Sequence, residues 1–382
     1  MKALAVVGAG MQGVAAAYDC ALNGSFDRIA LADCDIERAV AGADRINSLL
    51  RSHLCEPFRI DAASRNALHA FLPDFEIAVS ALPYAMHALV EDVGIEVVCS
   101  VVDMGQDVEP ARAIHSRDRE ASAKGVTVVT DCGLAPGLVN IFAAELIARC
   151  PGATHVRSYC GGLPEMPIGP LGYVLRFSMD SVIGEYSDEI LALRAGEVVT
   201  GKPLDLLEEI EFGGVGRLEA FTTSGGTGTA PYSLQGRVPN YEYKTLRYPG
   251  HLAAMNLFRD CGFWSEAPVA RIGVSAREAF SAVMEQNLAR PEIGDMVLVR
   301  VEAEAPGRTL RLEMIERPDP VTGFTAMERL TGFSTSIVAI EISEGRVPAG
   351  CSGCEVAVDP DNFRCELQKR GFGVRSVDTL TA

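Results

Sequence analysis

An apolar run, Ala3-Leu-Ala-Val-Val7, breaks into Gly8-Ala-Gly-Met-Gln-Gly13, and a helical pattern then runs from Met11 to about Leu22. Each glycine has a physical job in such a turn. Gly8 permits the tight exit from a strand, Gly10 leaves room for a pyrophosphate against the backbone, and Gly13 lets the helix pack closely on the sheet. The phosphates then meet the positive end of the helix. A second apolar run, Arg28-Ile-Ala-Leu-Ala, closes on Asp33, twenty residues after Gly13. There a carboxylate accepts hydrogen bonds from an adenosine ribose and repels the extra phosphate of NADP. The glycines alone also fit an ordinary turn; strand, loop, helix, strand and acid together point to a dinucleotide site. Asp33 points to NAD rather than NADP, although Arg38, five residues on, is placed to meet a phosphate.

The alternation continues. Strands are expected at Glu76–Ala81, Val97–Val102 and Val126–Thr130, with helices at 36–50, 85–93 and 109–124. Near-continuous apolar strands between helices describe a parallel sheet covered on both faces. Loops at the strands' carboxyl ends face the ligand cleft: Ser80-Ala81-Leu82-Pro83, Asp103–Gly105 and Asp131–Gly133. After Pro136 the rhythm changes. Leu138, Ile141, Phe142 and Leu146 mark a helix face; strands are expected at 173–178, 207–212, 217–221, 296–305 and 309–316, and helices at 276–288 and 326–342. The expected fold is thus α/β: an N-terminal Rossmann doubly wound parallel sheet (1–135) and a C-terminal α+β substrate and dimerisation domain with a mostly antiparallel sheet (136–345). The segment 346–382, with a helix at 361–370 closed by Gly371, returns to the first domain by analogy with other two-domain dehydrogenases.

At 382 residues the chain exceeds the size of a single core. Its net charge of −17 argues against a nucleic-acid backbone or an anionic membrane as partner. No apolar run spans a bilayer. The first strand starts without a basic leader, so a cytoplasmic location is expected. The 11 cysteines read as reduced thiols. Cys351-Ser-Gly-Cys354 lacks a second ligand pair, so no metal is expected.

Three segments of the second half are richer in glycine and polar groups than a core requires: Cys160–Tyr173, Thr222–Thr229 and Lys244–His251. The last combines Arg247, which suits a carboxylate, with Lys244 and His251, which suit proton transfer. Taken singly, each also reads as a turn or a solvated basic cluster.

Asp131-Cys-Gly-Leu-Ala-Pro-Gly137, Gly161-Gly-Leu-Pro164, Tyr173–Ser178 and Lys244–His251 together resemble the saccharopine dehydrogenase-like family, most closely its lysine epsilon-dehydrogenases and saccharopine reductases. The resemblance implies a homodimer that interconverts an amine with an imine or carbonyl on an amino-acid or polyamine substrate, using a nicotinamide cofactor. It implies that Gly8, Gly10, Met11, Gln12 and Gly13 hold the pyrophosphate, Asp33 the ribose, and Asp61 with Ala62 the adenine. Ser80, Ala81, Leu82, Pro83 and Asp103 would border the nicotinamide. Asp131 and Tyr173 would line the cleft opposite Lys244, Arg247 and His251. One departure stands out: lysine dehydrogenases of the family carry an Asp-Gly-Leu-Arg-Thr-Leu type segment where this chain has Ser224-Gly-Gly-Thr-Gly-Thr229, so an arginine is missing.

The expected activity is NAD-dependent oxidation of an amino acid's C–N bond, on lysine or another diamino acid. Arg247 anchors the carboxylate, and His251 or Lys244 removes the proton that frees the nitrogen lone pair. Two alternatives stand beside it: reductive condensation of the saccharopine-reductase or carboxy-polyamine type with NADPH, and a catalytically silent NAD-binding sensor.

Overall fold

The structure is a computed structural model that describes residues 2–105, 107–176, 178–271, 273–290 and 292–380. The first half alternates strand and helix: β1 (Ala3–Val7), α1 (Met11–Asn23), β2 (Arg28–Asp33), α2 (Ile36–Leu50), β3 (Cys55–Arg59), α3 (Arg65–Phe71), β4 (Ile77–Ser80), α4 (His87–Val97), β5 (Ser100–Asp103), α5 (Val108–His115), α6 (Asp118–Lys124) and β6 (Thr127–Thr130). The strands pair in parallel in the order β6-β5-β4-β1-β2-β3. Side chains alternate between two cores, as the period of two demands. Leu4, Val6, Ile29, Leu31 and Val79 pack on one face, and Ala5, Val7, Ala30, Ala78 and Val101 on the other.

The second half begins with α7 (Val139–Arg149) and β7 (His155–Pro164), then α8 (Met179–Ser187), β8 (Ile190–Arg194), β9 (Glu197–Gly201), β10 (Glu208–Phe212) and β11 (Gly216–Phe221). It continues through α9 (Ala230–Ser233), β12 (Tyr241–Arg247), α10 (His251–Asp260), α11 (Ala276–Leu288), β13 (Asp295–Ala305), β14 (Arg308–Glu316) and α12 (Ala326–Ser343). The tail adds β15 (Gly350–Gly353), α13 (Cys354–Ala357), α14 (Pro360–Lys369) and β16 (Arg375–Leu380). The second sheet runs β10-β11-β12-β7-β13-β14-β16, with β8 attached at β12 and β9 at β8; among the described residues only β12 and β7 pair in parallel there. The tail serves both sheets, since β15 extends the parallel sheet beside β6 while β16 pairs with β14.

Helix α12 joins the two layers. Its start is fixed by a capping box between Thr325 and Glu328. Its glycine, Gly332, lies so near α1 that a Cβ there would stand 2.7 Å from the Ala15 methyl. No helix of the described residues is long and apolar enough to cross a membrane.

Several local expectations are corrected. Tyr173–Arg176 are irregular chain rather than strand, and Ser178 caps α8 by accepting from the Ser181 N–H; Phe177 of that expected strand lies outside the described residues. The apparent alternation arises because Tyr173 and Leu175 pack into a cluster with Met179 and Phe221. The Cys160–Tyr173 segment is not all turn, because its first five residues complete β7. The expected helix 109–124 is two, α5 and α6, and β5 starts at Ser100 because α4 carries Val97 and ends on left-handed Val98. Strand β3, an edge with Pro57 and mostly exposed side chains, carries no alternation that a reader of the chain could use.

Candidate active site

The first wall of the cleft is built mostly from backbone. Gly8 adopts φ +111°, and a Cβ there would meet the Ala81 carbonyl at 2.2 Å. Gly13 presses on the same turn: its Cβ would stand 1.9 Å from the Gly8 carbonyl. Gly10, the N-cap of α1, instead opens onto free space, with no side-chain cap and no acid in the first turn. An uncapped helix N-terminus facing open space is what an anion requires. Met11 is half exposed beside it.

Asp33 ends β2 next to this turn. Its Oδ2 accepts from the Ala9 N–H at 2.8 Å and its Oδ1 from the Asp35 N–H at 3.0 Å. Burial pushes its pKa up, but these bonds and the nearby Arg38 charge outweigh it and hold the carboxyl below the usual range. The Ile60 N–H donates to the Asp33 carbonyl, which brings exposed Asp61 alongside. Ala62 is packed into a core, not presented to a ligand.

At the other end of this wall, Ala81, Leu82, Pro83, Met104 and Gly105 line a cavity of about 290 Å³. Ser80 and Asp103 lie behind them. Ser80 Oγ bonds His87 Nδ1 at 2.8 Å, and Asp103 Oδ1 accepts from the Gly105 and Asp131 N–H groups at 2.6 and 3.0 Å. They shape the loops rather than face the cavity. Gln12 also lines it, with Oε1 buried and without a hydrogen-bond partner among the described residues. An open helix terminus at Gly10 and, two residues on, an orphaned acceptor turned into the cavity fit a dinucleotide that carries both phosphates and a carboxamide N–H donor.

The opposite wall is built from side chains. All seven residues of β12 are buried, so its period of two decides which reach the cavity. Tyr243, Thr245 and Arg247 do. Lys244 points to the other face, where its Nζ bonds Glu208 at 3.0 Å. The expectation of Lys244 as a catalytic group is therefore corrected.

Arg247, 4% exposed, is held on three sides. Its Nε donates to the Tyr186 hydroxyl at 3.0 Å, its Nη1 to the Leu246 carbonyl at 2.9 Å, and its guanidinium lies 4.9 Å from the Tyr173 ring centre. Tyr173 is thus a support beneath Arg247, not a cleft-lining residue. His251, the first residue of α10, is 1% exposed and sits behind Tyr186. Its Nε2 bonds the Tyr186 hydroxyl and its Nδ1 the Leu171 carbonyl, each at 3.0 Å. Burial, with the Arg247 charge adding to it, pushes its pKa down to about 3. An imidazole so placed neither reaches substrate nor takes up a proton near neutral pH, which corrects its expected role as base.

Asp131 does not line the cavity either. At φ +62° it turns its Oδ2 to the Thr229 N–H at 3.1 Å, pinning the glycine-rich loop of the second half to the first. Gly228 is required there, since a Cβ would meet that oxygen at 2.3 Å. The residues after Asp131 that do line the cavity are Leu134 and Ala135.

Sequence reasoning missed Glu185. It lies on α8, one turn after Ser181, and both line the cavity. Burial pushes its pKa up to about 7 while the Arg247 charge opposes the shift. The signal was available: Ser178 as an N-cap, then Met179, Val182, Ile183 and Tyr186 as the buried face, leaves Ser181 and Glu185 together on another. Glu185 is the lining group placed to exchange a proton near neutral pH. Arg247 is the one arginine or lysine among the described lining residues.

The family model described as the saccharopine dehydrogenase NADP binding domain matches residues 4–129, and that of the saccharopine dehydrogenase C-terminal domain matches residues 133–372. The chain is 27% identical over 244 residues to saccharopine dehydrogenase [NADP(+), L-glutamate-forming] of Pyricularia oryzae, covering 61% of this chain and 54% of that one. It is 28% identical over 264 residues to the mitochondrial alpha-aminoadipic semialdehyde synthase of Mus musculus, covering 63% and 26%. The matches thus span about half or less of these curated relatives. Among solved structures, apo saccharopine dehydrogenase (L-Glu forming) from Saccharomyces cerevisiae superposes with a TM-score of 0.80 at 18% identity, covering 99% and 100% of the two chains. Homospermidine synthase from Legionella pneumophila in complex with NAD gives 0.71 at 11%, covering 99% and 91%. These two likenesses are likenesses of fold.

Proposed function

From the premise that the chain belongs to the saccharopine dehydrogenase family, a family of pyridine-nucleotide oxidoreductases, we propose that it oxidises the C–N bond of an amino acid bearing a single carboxylate. The observation that carries this reading is the pairing of Arg247, the one guanidinium among the described lining residues, with Glu185, whose carboxyl is pushed up to about 7. Arg247 holds the carboxylate through its Nη2, which has no partner among the described residues. Glu185 takes a proton from the substrate ammonium, because only a neutral nitrogen has the lone pair that drives hydride out. A nicotinamide held beside Gln12, Ala81, Leu82 and Pro83 would supply the hydride acceptor. The resulting imine is then hydrolysed, or cyclises where a second amine is in reach. For the carrier we propose NAD, on the strength of the ionised Asp33 at the ribose end.

A second reading has its own support. The Pyricularia oryzae relative is named for NADP(+), the family model over residues 4–129 is described as NADP binding, and Arg38 lies within reach of Asp33's charge. It is reductive condensation of the saccharopine-reductase type with NADPH. The saccharopine it would handle carries three carboxylates, for which the cleft offers one guanidinium.

The deciding experiment is a panel of mono- and dicarboxylic amino acids, diamines and saccharopine, each with NAD and NADP, followed by near-ultraviolet absorbance. Turnover confined to monocarboxylic amino acids supports the first reading. Preference for saccharopine, or for aldehyde plus glutamate with NADPH in reverse, supports the second.

A further inference from the structure

We propose that His251 is a positioning residue: through Tyr186 it forms a hydrogen-bond chain of fixed direction that sets the guanidinium of Arg247 for the substrate carboxylate. The role assigned to Arg247 rests on the function proposed above; the chain itself does not.

Its direction follows from which atoms carry protons. The Leu171 carbonyl can only accept, so His251 Nδ1, 3.0 Å away, must hold a hydrogen. A neutral imidazole has one N–H, which leaves Nε2 a bare acceptor. At the other end Arg247 Nε can only donate, so the Tyr186 oxygen receives that bond at 3.0 Å. The single hydroxyl proton of Tyr186 therefore goes to His251 Nε2, also at 3.0 Å. Every donor in the run meets an acceptor, and no second arrangement satisfies all three contacts.

A protonated His251 would break the chain. Its Nε2–H would turn toward a tyrosine oxygen already receiving the Arg247 proton, leaving the hydroxyl hydrogen with no acceptor in the run. Two cations would then stand within one apolar shell. The groups packed on the imidazole are the rings of Tyr173, Tyr186 and Phe221, with Leu171 at Nδ1; the charge that acts on it is that of Arg247. Among the described residues no carboxylate bonds either ring nitrogen.

The consequence is preorganisation. With Nε tied to Tyr186, Nη1 to the Leu246 carbonyl and Tyr173 beneath the plane, Arg247 presents Nη2 in one orientation. A carboxylate that docks there does not have to order the arginine first.

The test has two readouts. Nuclear magnetic resonance of the full-length protein labelled with 15N-histidine reports the His251 tautomer without any substrate. The expected result is a proton on Nδ1 and a bare Nε2, unchanged from about pH 5.5 to about pH 9. Titration in that range, or a proton on Nε2, overturns the chain. Steady-state kinetics of Tyr186→Phe and His251→Gln then test its purpose. Each is expected to raise KM for the amino acid about tenfold, with kcat within about threefold and its pH dependence unchanged, and the double variant is expected to be no worse than either single one. A collapse of kcat with loss of the acidic limb would make His251 the base and overturn the proposal. An unchanged KM beside an intact tautomer overturns the positioning role. If no substrate on the panel turns over, the proposed function fails, while the tautomer still decides whether the chain exists.

Discussion

The two walls of the cleft are built by opposite means. On the nucleotide side, Gly8 and Gly13 with Ala81 bring backbone to within contact distance of backbone, and the open helix terminus at Gly10 supplies the charge. On the substrate side, Arg247, Glu185, Tyr186 and Tyr173 bring long side chains together out of three separate segments, and burial shifts the titration of the acid among them. A wall of backbone fails when an atom is added. A wall of buried charge fails when a proton or one donor is misplaced. The contrast makes each wall separately breakable.

Gly13→Ala should give the largest effect, since its Cβ has no room against the Gly8 carbonyl. A cost of about 2 to 3 kcal/mol and loss of dinucleotide binding are expected, read by thermal unfolding and NADH fluorescence titration. Wild-type affinity in this variant would mean that the backbone wall is not the nucleotide site. Arg247→Lys should act on the other wall alone. Losing the planar fork, it should raise KM for the amino acid by about tenfold or more while the dinucleotide Kd stays put.

A smaller effect separates charge from backbone on the nucleotide side. Asp33→Ala is expected to weaken NAD about tenfold and to narrow the gap to NADP, measured as two Kd values. An unchanged ratio would remove Asp33 as the selector.

His251 offers a probe of burial itself. Its folded pKa, about 3, lies below the ordinary value of 6.5. Between the two the unfolded chain binds a proton that the folded one does not, so stability falls as pH drops below about 6.5. The slope is on the order of 1 kcal/mol per pH unit. His251→Gln should remove that part of the acid sensitivity in denaturant titrations at about pH 5 and 7. Equal slopes would mean that His251 is charged in the folded protein. Lys244→Met should do least: its ion pair with Glu208 lies across the sheet from the cleft, so kcat and KM should stay within about twofold. A large loss would return Lys244 to the chemistry.

The same contrast explains what could be read in advance. The nucleotide wall is encoded locally, in one strand–turn–helix and the end of the next strand, so the places of Gly8, Gly13 and Asp33 are legible from spacing. The substrate wall depends on tertiary contacts. Lys244 and Arg247 lie three residues apart in one basic cluster, yet the pleat of β12 sends them to opposite faces. His251 looked like a base because an isolated histidine titrates near neutrality, and its burial behind Tyr186 is invisible in the chain. Glu185 is masked in the chain by the apparent strand alternation of Tyr173 to Ser178, which runs over the residue that caps α8. Asp131 was seen, but its partner Thr229 lies far along the chain, and only the fold reveals that it joins the two halves.

The central claim is that Glu185 is the group that frees the substrate nitrogen. It is tested most directly by the pH dependence of kcat/KM for oxidation of a turned-over amino acid, in wild type and Glu185→Gln. The account predicts a wild-type rate that climbs with pH and bends near 7, where Glu185 loses its proton. In the variant that bend should be absent and the rate should fall by about a hundredfold. Superimposable profiles in the two proteins would contradict it.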